Sequence, residues 1–386
     1  MQISTHLFLV HDELIPNITP ALDPRFRPSE VCLLVAPQML DEAGRLRRLL
    51  RDSGIRVSEW ALSDPWDIDH VRERVRAFVV GREDRDIALN ATGGTRPMGL
   101  AAYEVFREID RPVYYIHPES DQVVWLHPHA REPFDLADRI RLPAFLSAHD
   151  LRLVSVVKQG IAERLRDLTS TLVGKADVLA GSLSILNWYA SMTSNSGKFV
   201  SPPVKTSHLR DAKVAEMIQL FSSHGLLEVD ARQRLVFKDE AARFYVNGGW
   251  LEEHVFAVIR QLRQELPTIQ DVGRSLIVEW DDQGSPVKNE IDVAFLANNR
   301  LYLIECKTKR FDGGGSPEAD AASTLYKLDT LRSHFGGDEA RAMLVSYRTL
   351  GESIRMRADE IGIQLCFGQS LSQLSNHFKA WSSSSI

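Results

Sequence analysis

The stretch LYLIECKTKR, Leu301 to Arg310, places a carboxylate and an ammonium one residue apart in a run that otherwise reads as a buried strand. Alternation along a strand puts Glu305 and Lys307 on one face and Tyr302, Ile304 and Cys306 on the other. A charge at the end of a core strand is costly unless it is paired, metal-bound or used in chemistry. Just upstream, NEIDVAFLA carries Asp292 on the face opposite Ile291 and Val293, and a hairpin between the two runs would bring Asp292 beside Glu305. Two carboxylates pressed together raise one another's pKa unless a divalent cation lies between them. Mg²⁺ or Mn²⁺ suits such a pair, because these hard ions take oxygen ligands and keep several waters. A bound ion acidifies one of those waters and neutralises charge on a phosphate under attack. Lys307 would orient the water or stabilise the developing charge. The bland alternative is a surface ion pair between Glu305 and Lys307 with Asp292 unrelated. Surface pairs rarely interrupt so apolar a strand.

Asp, a gap of a dozen residues, then Glu-x-Lys at a strand end resembles the PD-(D/E)xK restriction-endonuclease-like nucleases in spacing and context. That family also takes a carboxylate from its first helix. On WLEEHVFAVIRQL, Glu252 shares a face with Val255, Phe256 and Ile259, whereas Glu253 lies with Ala257 and Arg260, so Glu252 is the expected third metal ligand. Glu290 and Glu279 are weaker candidates.

These residues need a scaffold. The chain has 386 residues, enough for two or three domains at roughly 150 residues each. Its first part alternates strand-like runs (residues 6–10, 31–36, 87–92 and 112–117) with amphipathic stretches (39–54, 67–81 and 97–110). Such alternation implies a mainly parallel, Rossmann-like α/β sheet whose ligands bind outside the carboxyl ends of the strands. From about residue 151 the pattern turns helical, through LVSVVKQGIAERLRDL, and residues 208–249 read in the order of a winged helix. The last part reads as helix, three strands, a glycine-rich gap, a helix from about Ala319 and a strand, with WSSSSI as a frayed tail.

Net charge is −6 overall, divided as −6 over residues 1–150, +4 over 151–246 and −4 over 247–386. Only the middle is basic, which suits nucleic-acid contact there as well as it suits a spacer and argues against a simple nucleic-acid coat. No apolar run reaches membrane-helix length and Met1 to Val10 lacks the features of a signal peptide, so a cytoplasmic protein without membrane contact is expected. Cys32, Cys306 and Cys366 are scattered and point to neither disulfides nor a zinc knuckle.

NATGGTRPMGLAAY, residues 90–103, follows a strand and opens a helix. Gly93 and Gly94 permit close backbone approach, Thr92 and Thr95 bring hydroxyls, Arg96 a cation, and the helix amino end free N–H groups; together they suit phosphate. The turn lacks the Gly-Lys-Ser/Thr ending of a Walker loop and is not GxGxxG; a tight turn with a helix cap is the simpler reading. VHDELIPNITPAL, residues 10–22, would lie at the same carboxyl edge.

Taken together, PNITPAL, NATGGTRPMGLAAY, GGWLEEHVF and IECKT resemble the CRISPR-associated Rossmann-fold (CARF) nucleases of type III defence. The resemblance implies a CARF sensor over residues 1–145, a helical linker with a winged helix over 146–247, and a PD-(D/E)xK nuclease over 248–386. It further implies a homodimer that binds a cyclic oligoadenylate, cyclic tetra-adenylate by family expectation. The matching ligand positions are His11, Asp12, Asn17, Asn90, Thr92, Gly93, Gly94, Thr95 and Arg96. Asp12 would repel a phosphate and suits adenine or ribose instead. In the nuclease, Asp292, Glu305 and Glu252 would hold Mn²⁺ or Mg²⁺ and Lys307 would assist the attacking water, cutting or nicking DNA, with RNA as a further substrate. The alternatives are a ligand-gated DNA-binding regulator using the middle winged helix, and a stand-alone repair or restriction nuclease on a structural Rossmann domain.

Overall fold

The computed structural model describes residues 3–82, 86–118, 120–193, 199–282, 284–308, 317–337 and 340–383. The glycine-rich gap expected after Thr308 lies outside them.

The first sheet contains β1 (Thr5–Leu9), β2 (Glu30–Val35), β3 (Arg56–Ala61), β4 (Ile87–Asn90), β5 (Val113–Ile116), β6 (Gln122–His127) and β7 (Phe134–Asp135), in the order β3-β2-β1-β4-β5-β6-β7. β1 to β5 run parallel, and β6 and β7 add antiparallel to one edge. Between them lie α1 (Ile15–Leu22), α2 (Leu40–Asp52), α3 (Ile68–Val80) and α4 (Arg96–Glu108). Each long helix buries one stripe: Ala43, Leu46 and Leu50 on α2 pack on one face of the sheet, Val71, Val75 and Phe78 on α3 and Ala101, Ala102 and Val105 on α4 on the other. The expected Rossmann-like architecture is thus present. Because β1 and β4 are neighbours, the loops that follow them share one carboxyl edge, the switch point of the sheet.

The middle contains α5 (Leu142–Ala148), β8 (Arg152–Val157), α6 (Arg166–Gly174), α7 (Ala176–Ser191), β9 (Val200–Pro203), α8 (Thr206–Leu209), α9 (Ala212–Ser223), β10 (Leu227–Val229), β11 (Arg234–Phe237) and α10 (Glu240–Phe244). From α7 to β11 the succession is helix, strand, helix, helix, strand, strand, and β10, β11 and β9 form an antiparallel sheet, which is the winged-helix arrangement. The helical reading of LVSVVK is corrected: the β-branched Val154, Val156 and Val157 lie in β8, an edge strand of the third sheet.

That third sheet is built by α11 (Trp250–Glu265), β12 (Ile269–Asp282), β13 (Ser285–Ala297), β14 (Arg300–Lys307), α12 (Pro317–Gly336), β15 (Arg341–Ser346), α13 (Glu352–Glu360), β16 (Gln364–Phe367) and α14 (Leu374–Ser383). Its strand order is β16-β15-β14-β13-β12-β8. The first residues of WSSSSI are not frayed, since Trp381 is buried on α14 against Tyr302 and Phe295. One apolar cluster runs from Phe8 and Val31 of the first sheet through Phe145 of α5 to Leu276, Leu301 and Leu303, while the opposite face of the third sheet, with Tyr302 and Ile304, packs on α11 and the middle helices.

His6 of β1 is fully buried, hydrogen-bonded at 2.9 Å to the Tyr114 hydroxyl, and burial pushes its pKa down to about 3. The neutral ring is therefore part of the fold. Its contribution is complete above pH ~6.5 and is lost as pH falls from there toward 3, at about 1.4 kcal/mol per pH unit. His6→Gln removes this dependence, so the gap in melting temperature between wild type and variant is expected to narrow or reverse on acidification, as differential scanning fluorimetry from pH 7.5 to 4.5 would read.

Candidate active site

β13 and β14 pair antiparallel with Val293 opposite Ile304, so Asp292 and Glu305 fall opposite one another at the next step, as the hairpin reading expected. The backbone N–H of Cys306 donates to Asp292 Oδ2 at 2.6 Å, and Lys307 Nζ forms an ion pair with Glu305 Oε1. Glu305 is only 7% exposed.

How Asp292 comes to point into this cluster differs from simple alternation. Val293 packs with the α11-side core but Ile291 with the sensor-side core, although they are two residues apart. On β12, Val272 and Leu276 divide in the same way around Ser275, which has φ +46°. The two strands therefore change faces together at Ser275 and Asp292. A local irregularity of this kind re-aims a side chain at a functional position. The expectation that Ile291 and Val293 share a face is corrected by this kink.

α11 supplies the third carboxylate. Its apolar stripe of Val255, Phe256 and Ile259 faces the sheet, and Glu252 accepts a hydrogen bond from Ser275 Oγ at 3.4 Å. Its neighbour Glu253 is taken by Arg274, at 3.2 Å. Burial, then Asp292 and Glu290, push the Glu252 carboxyl up to about 9. Burial, then Glu305, push Asp292 up to about 7. Burial works against the Lys307 ammonium, but Glu305 and Asp292 outweigh it and hold its pKa above the ordinary value. Glu290 is exposed at the cluster's edge. Glu279 is elsewhere, bound to Arg152 and Lys288, and is removed from the candidate set.

The donor set fits a hard cation: oxygen ligands only, more negative charge than Lys307 balances, and too little water to screen it. Among the described residues no three His, Cys, Asp or Glu side chains are spaced to hold an ion by themselves. The structure brings Asp292 and Glu305 together, with Glu252 near enough to feel both charges. That is sufficient for an ion that uses one or two carboxylates and several waters.

β14 is clamped just beyond Lys307. Thr308 is buried, and its hydroxyl donates to the Asn187 amide oxygen of α7 at 2.8 Å, while the amide nitrogen donates to the Val246 and Leu183 carbonyls. Gly248, at φ +112°, approaches so closely that a Cβ there would lie 2.0 Å from Thr308 Oγ1. Nothing in local sequence spacing signals these contacts, because Asn187 and Thr308 are far apart in the chain.

At the first sheet's carboxyl edge the expected positions divide. Asn17 and Asn90 are buried: Asn90 Nδ2 donates to Asn17 Oδ1 and to the Pro16 carbonyl, and Asn17 Nδ2 donates to the Leu9 carbonyl. Thr92 Oγ1 donates to Asn90 Oδ1 and accepts from the Ile116 N–H. Thr95 caps α4 by accepting from the Met98 N–H and donates to the Pro65 carbonyl. A Cβ on Gly93 would lie 2.1 Å from the Leu9 carbonyl oxygen, and Gly94 has φ +75°. These side chains and glycines build the turn and join it to α1. His11, which contacts Asp12, is half exposed, as are Asp12 and Arg96 more fully. The 68% exposed Trp66, beside Pro65, escaped the sequence reading.

Residues 5–144 match the model of the Card1 CARF domain, and residues 238–385 that of the Card1-like endonuclease domain. The chain is a Card1-like CARF endonuclease. Protein VC1899 from Vibrio cholerae shares its structure with a TM-score of 0.88 and 26% identity over 99% of both chains. Can2 from Sulfobacillus thermosulfidooxidans, solved with cyclic tetra-adenylate, has a TM-score of 0.78 and 24% identity over 99% of this chain and 97% of that one. A type III CRISPR defence DNA nuclease activated by cyclic oligoadenylate has a TM-score of 0.54 and 18% identity over 91% of this chain and 46% of that one. A comparison with curated proteins yields no significant match. No helix among the described residues of this CARF endonuclease is long and apolar enough to cross a membrane.

Buried like charges destabilise the metal-free fold. Asp292→Asn is expected to raise the melting temperature in chelator and to abolish most of the rise that Mn²⁺ gives the wild type, both read by scanning calorimetry at pH 7.5.

Proposed function

We propose that this CARF endonuclease is activated by a cyclic oligoadenylate, cyclic tetra-adenylate, and uses Mn²⁺ or Mg²⁺ to cut DNA, with RNA as a further substrate, in type III CRISPR antiviral defence. The carrying observation is the meeting of Asp292, Glu305 and Lys307 at the end of β14, inside the endonuclease domain and on the same chain as a CARF domain. The cyclic tetra-adenylate complex of the similar Can2 supports the activator, and the cyclic-oligoadenylate-activated DNA nuclease supports the substrate.

Asp292 and Glu305 would hold the ion, with Glu252 turned to the same centre. When bound, the ion supplies an acidified water and neutralises phosphate charge. Lys307, ion-paired with Glu305, would orient the water and meet negative charge on the phosphate. The Cys306 N–H fixes one Asp292 oxygen and leaves the other for ligation. In the sensor, the rigid turn of residues 90–95 presents the α4 amino end and Arg96 beside His11 and Asp12 to the ring. A homodimer through the CARF domain would present this edge twice about a two-fold axis, matching a symmetric ring. Binding then favours the dimer arrangement with competent nuclease sites, to the extent that the ring prefers that state. The regulator alternative is not favoured, since it leaves the converging Asp292, Glu305 and Lys307 without a use.

Supercoiled plasmid and labelled single-stranded DNA and RNA, incubated with Mn²⁺ with and without cyclic tetra-adenylate, test the proposal. Activator-dependent cutting that falls about 100-fold or more in Glu305→Gln is expected. Equal cutting without the activator would return the reading to a stand-alone nuclease, and no cutting despite tight activator binding would favour the regulator.

A further inference from the structure

Arg274 of β12 carries a charge yet is only 9% exposed, and it is held from three directions. Its Nε donates to the Gln159 carbonyl at 2.8 Å, its Nη2 lies 3.2 Å from Glu253 Oε1, and the guanidinium stands 5.9 Å from the centre of the Phe244 ring. Gln159 lies in the segment that leaves β8, Glu253 in the first turn of α11, and Phe244 at the end of α10. Two of these partners are themselves fixed. A Cβ on Gly249 would fall 2.1 Å from the Phe244 ring, so the ring is seated against the residue that precedes α11. Lys158, next to Gln159, pairs with Asp271 at 2.6 Å and donates to the Val272 carbonyl at 2.7 Å, while Asp271 accepts from the Leu142 N–H of α5 at 3.0 Å. The guanidinium is thereby anchored by Gln159 and Phe244 before it meets Glu253.

Where Glu253 is held matters to its neighbour. Glu252 and Glu253 are consecutive on α11, so their side chains leave the helix about 100° apart, and fixing one sets the direction of the other. The contact from Ser275 Oγ to Glu252 is 3.4 Å, long for such a hydrogen bond and too weak to fix the first turn of the helix alone. The Arg274–Glu253 pair supplies that restraint, between two largely buried side chains where salt screens little. Arg274 also directly precedes Ser275, where β12 changes faces, and lies opposite Val293, the residue after Asp292. One side chain therefore locks the rotation of α11 to the strands that aim Asp292. It also leaves Glu253 paired, not stranded as a second buried charge beside Glu252.

We infer that Arg274 is a positioning residue of the nuclease: without touching the ion, it sets the direction in which Glu252 meets it by holding Glu253 to β12. The inference rests on the reading of Glu252 as a carboxylate turned to the ion, and it adds the residue that turns it. Arginine suits the task because its planar fork bonds Gln159 and Glu253 in fixed directions at once, whereas lysine offers a point charge on a flexible stem.

The test is Mn²⁺ binding to the full chain at pH 7.5, read from the electron paramagnetic resonance signal of the free ion with no nucleic acid present. Glu305→Gln identifies the part of the binding that belongs to this site. Arg274→Met is expected to raise the Kd of that part about tenfold and Arg274→Lys to raise it less. In a Glu252→Gln background, Arg274→Met is expected to add nothing to the loss already present, because it acts through Glu252. Circular dichroism and melting show whether each variant folds. Where Arg274→Met does not fold, Arg274→Met combined with Glu253→Gln removes the stranded charge and is read in its place, with the same tenfold rise expected. Wild-type affinity in the folded Arg274 variant, or an equal further loss on top of Glu252→Gln, would overturn the inference and leave the metal reading intact. Wild-type affinity in Glu252→Gln would remove the reading on which the inference rests, and the inference with it.

Discussion

The mutual repulsion of Asp292 and Glu305, which face one another just past the last pairing of β13 with β14, is the constraint that the rest of the nuclease domain serves. Left to themselves the strands would relieve it by fraying or by slipping register. Register cannot slip, because shifting β14 by one residue would turn Leu301 and Leu303 out of one core and Tyr302 and Ile304 out of the other. Fraying is opposed just beyond Lys307, where Asn187 and Gly248 close on Thr308 and the Tyr347 N–H donates to the Lys307 carbonyl at 2.8 Å. The carboxylates stay together because apolar packing on both faces outweighs their repulsion. What remains is a local excess of negative charge with room for a cation.

The same packing bears on communication between domains. The third sheet is enclosed by two cores of different origin: one continuous with the first sheet through α5, the other made with α11 and the middle helices. β8 extends this union by leaving the CARF side and pairing with β12 close to Arg274. β12 is also the strand that kinks at Ser275, and Ser275 is the residue that contacts Glu252. A displacement of α5 and β8 thus has a short mechanical route to the carboxylate cluster. That route consists of packed side chains and backbone pairing, the kind of two-sided contact that shifts between discrete arrangements rather than deforming smoothly.

Much of this was legible in the sequence because it is written in period and spacing. The alternation of strands and helices over residues 1–145 gave the parallel sheet, and Asp292, Glu305 and Lys307 could be placed by counting residues along a hairpin. Glu252 followed from helical phase. What escaped depends on contacts between distant segments. β8 looked helical in isolation, but its valines are satisfied as an edge strand only because β12 stands ready to pair. The face change at Asp292 is invisible to strict alternation, because it needs the left-handed Ser275 on the neighbouring strand. The Asn187–Thr308 clamp joins residues 121 positions apart.

The glycine turn teaches the converse point. Its residue types suggested a set of ligand-contacting side chains, yet Asn17, Asn90, Thr92 and Thr95 use their hydrogen-bonding groups on one another and on the backbone. Polar residues can be prescribed by a turn's need for rigidity as strictly as by a ligand. Gly93 is required because the Leu9 carbonyl occupies the space a side chain would take, and this contact ties the end of β1 to the end of β4. The edge is thereby a fixed backbone surface whose exposed charges include Arg96 at the α4 amino end and Asp12 and Glu13 in the loop after β1. A large ring recognised there would be read chiefly by shape and by backbone groups. Such recognition discriminates between ring sizes more sharply than flexible side chains could, because a preformed edge loses little freedom on binding and does not adjust to a ring of the wrong span.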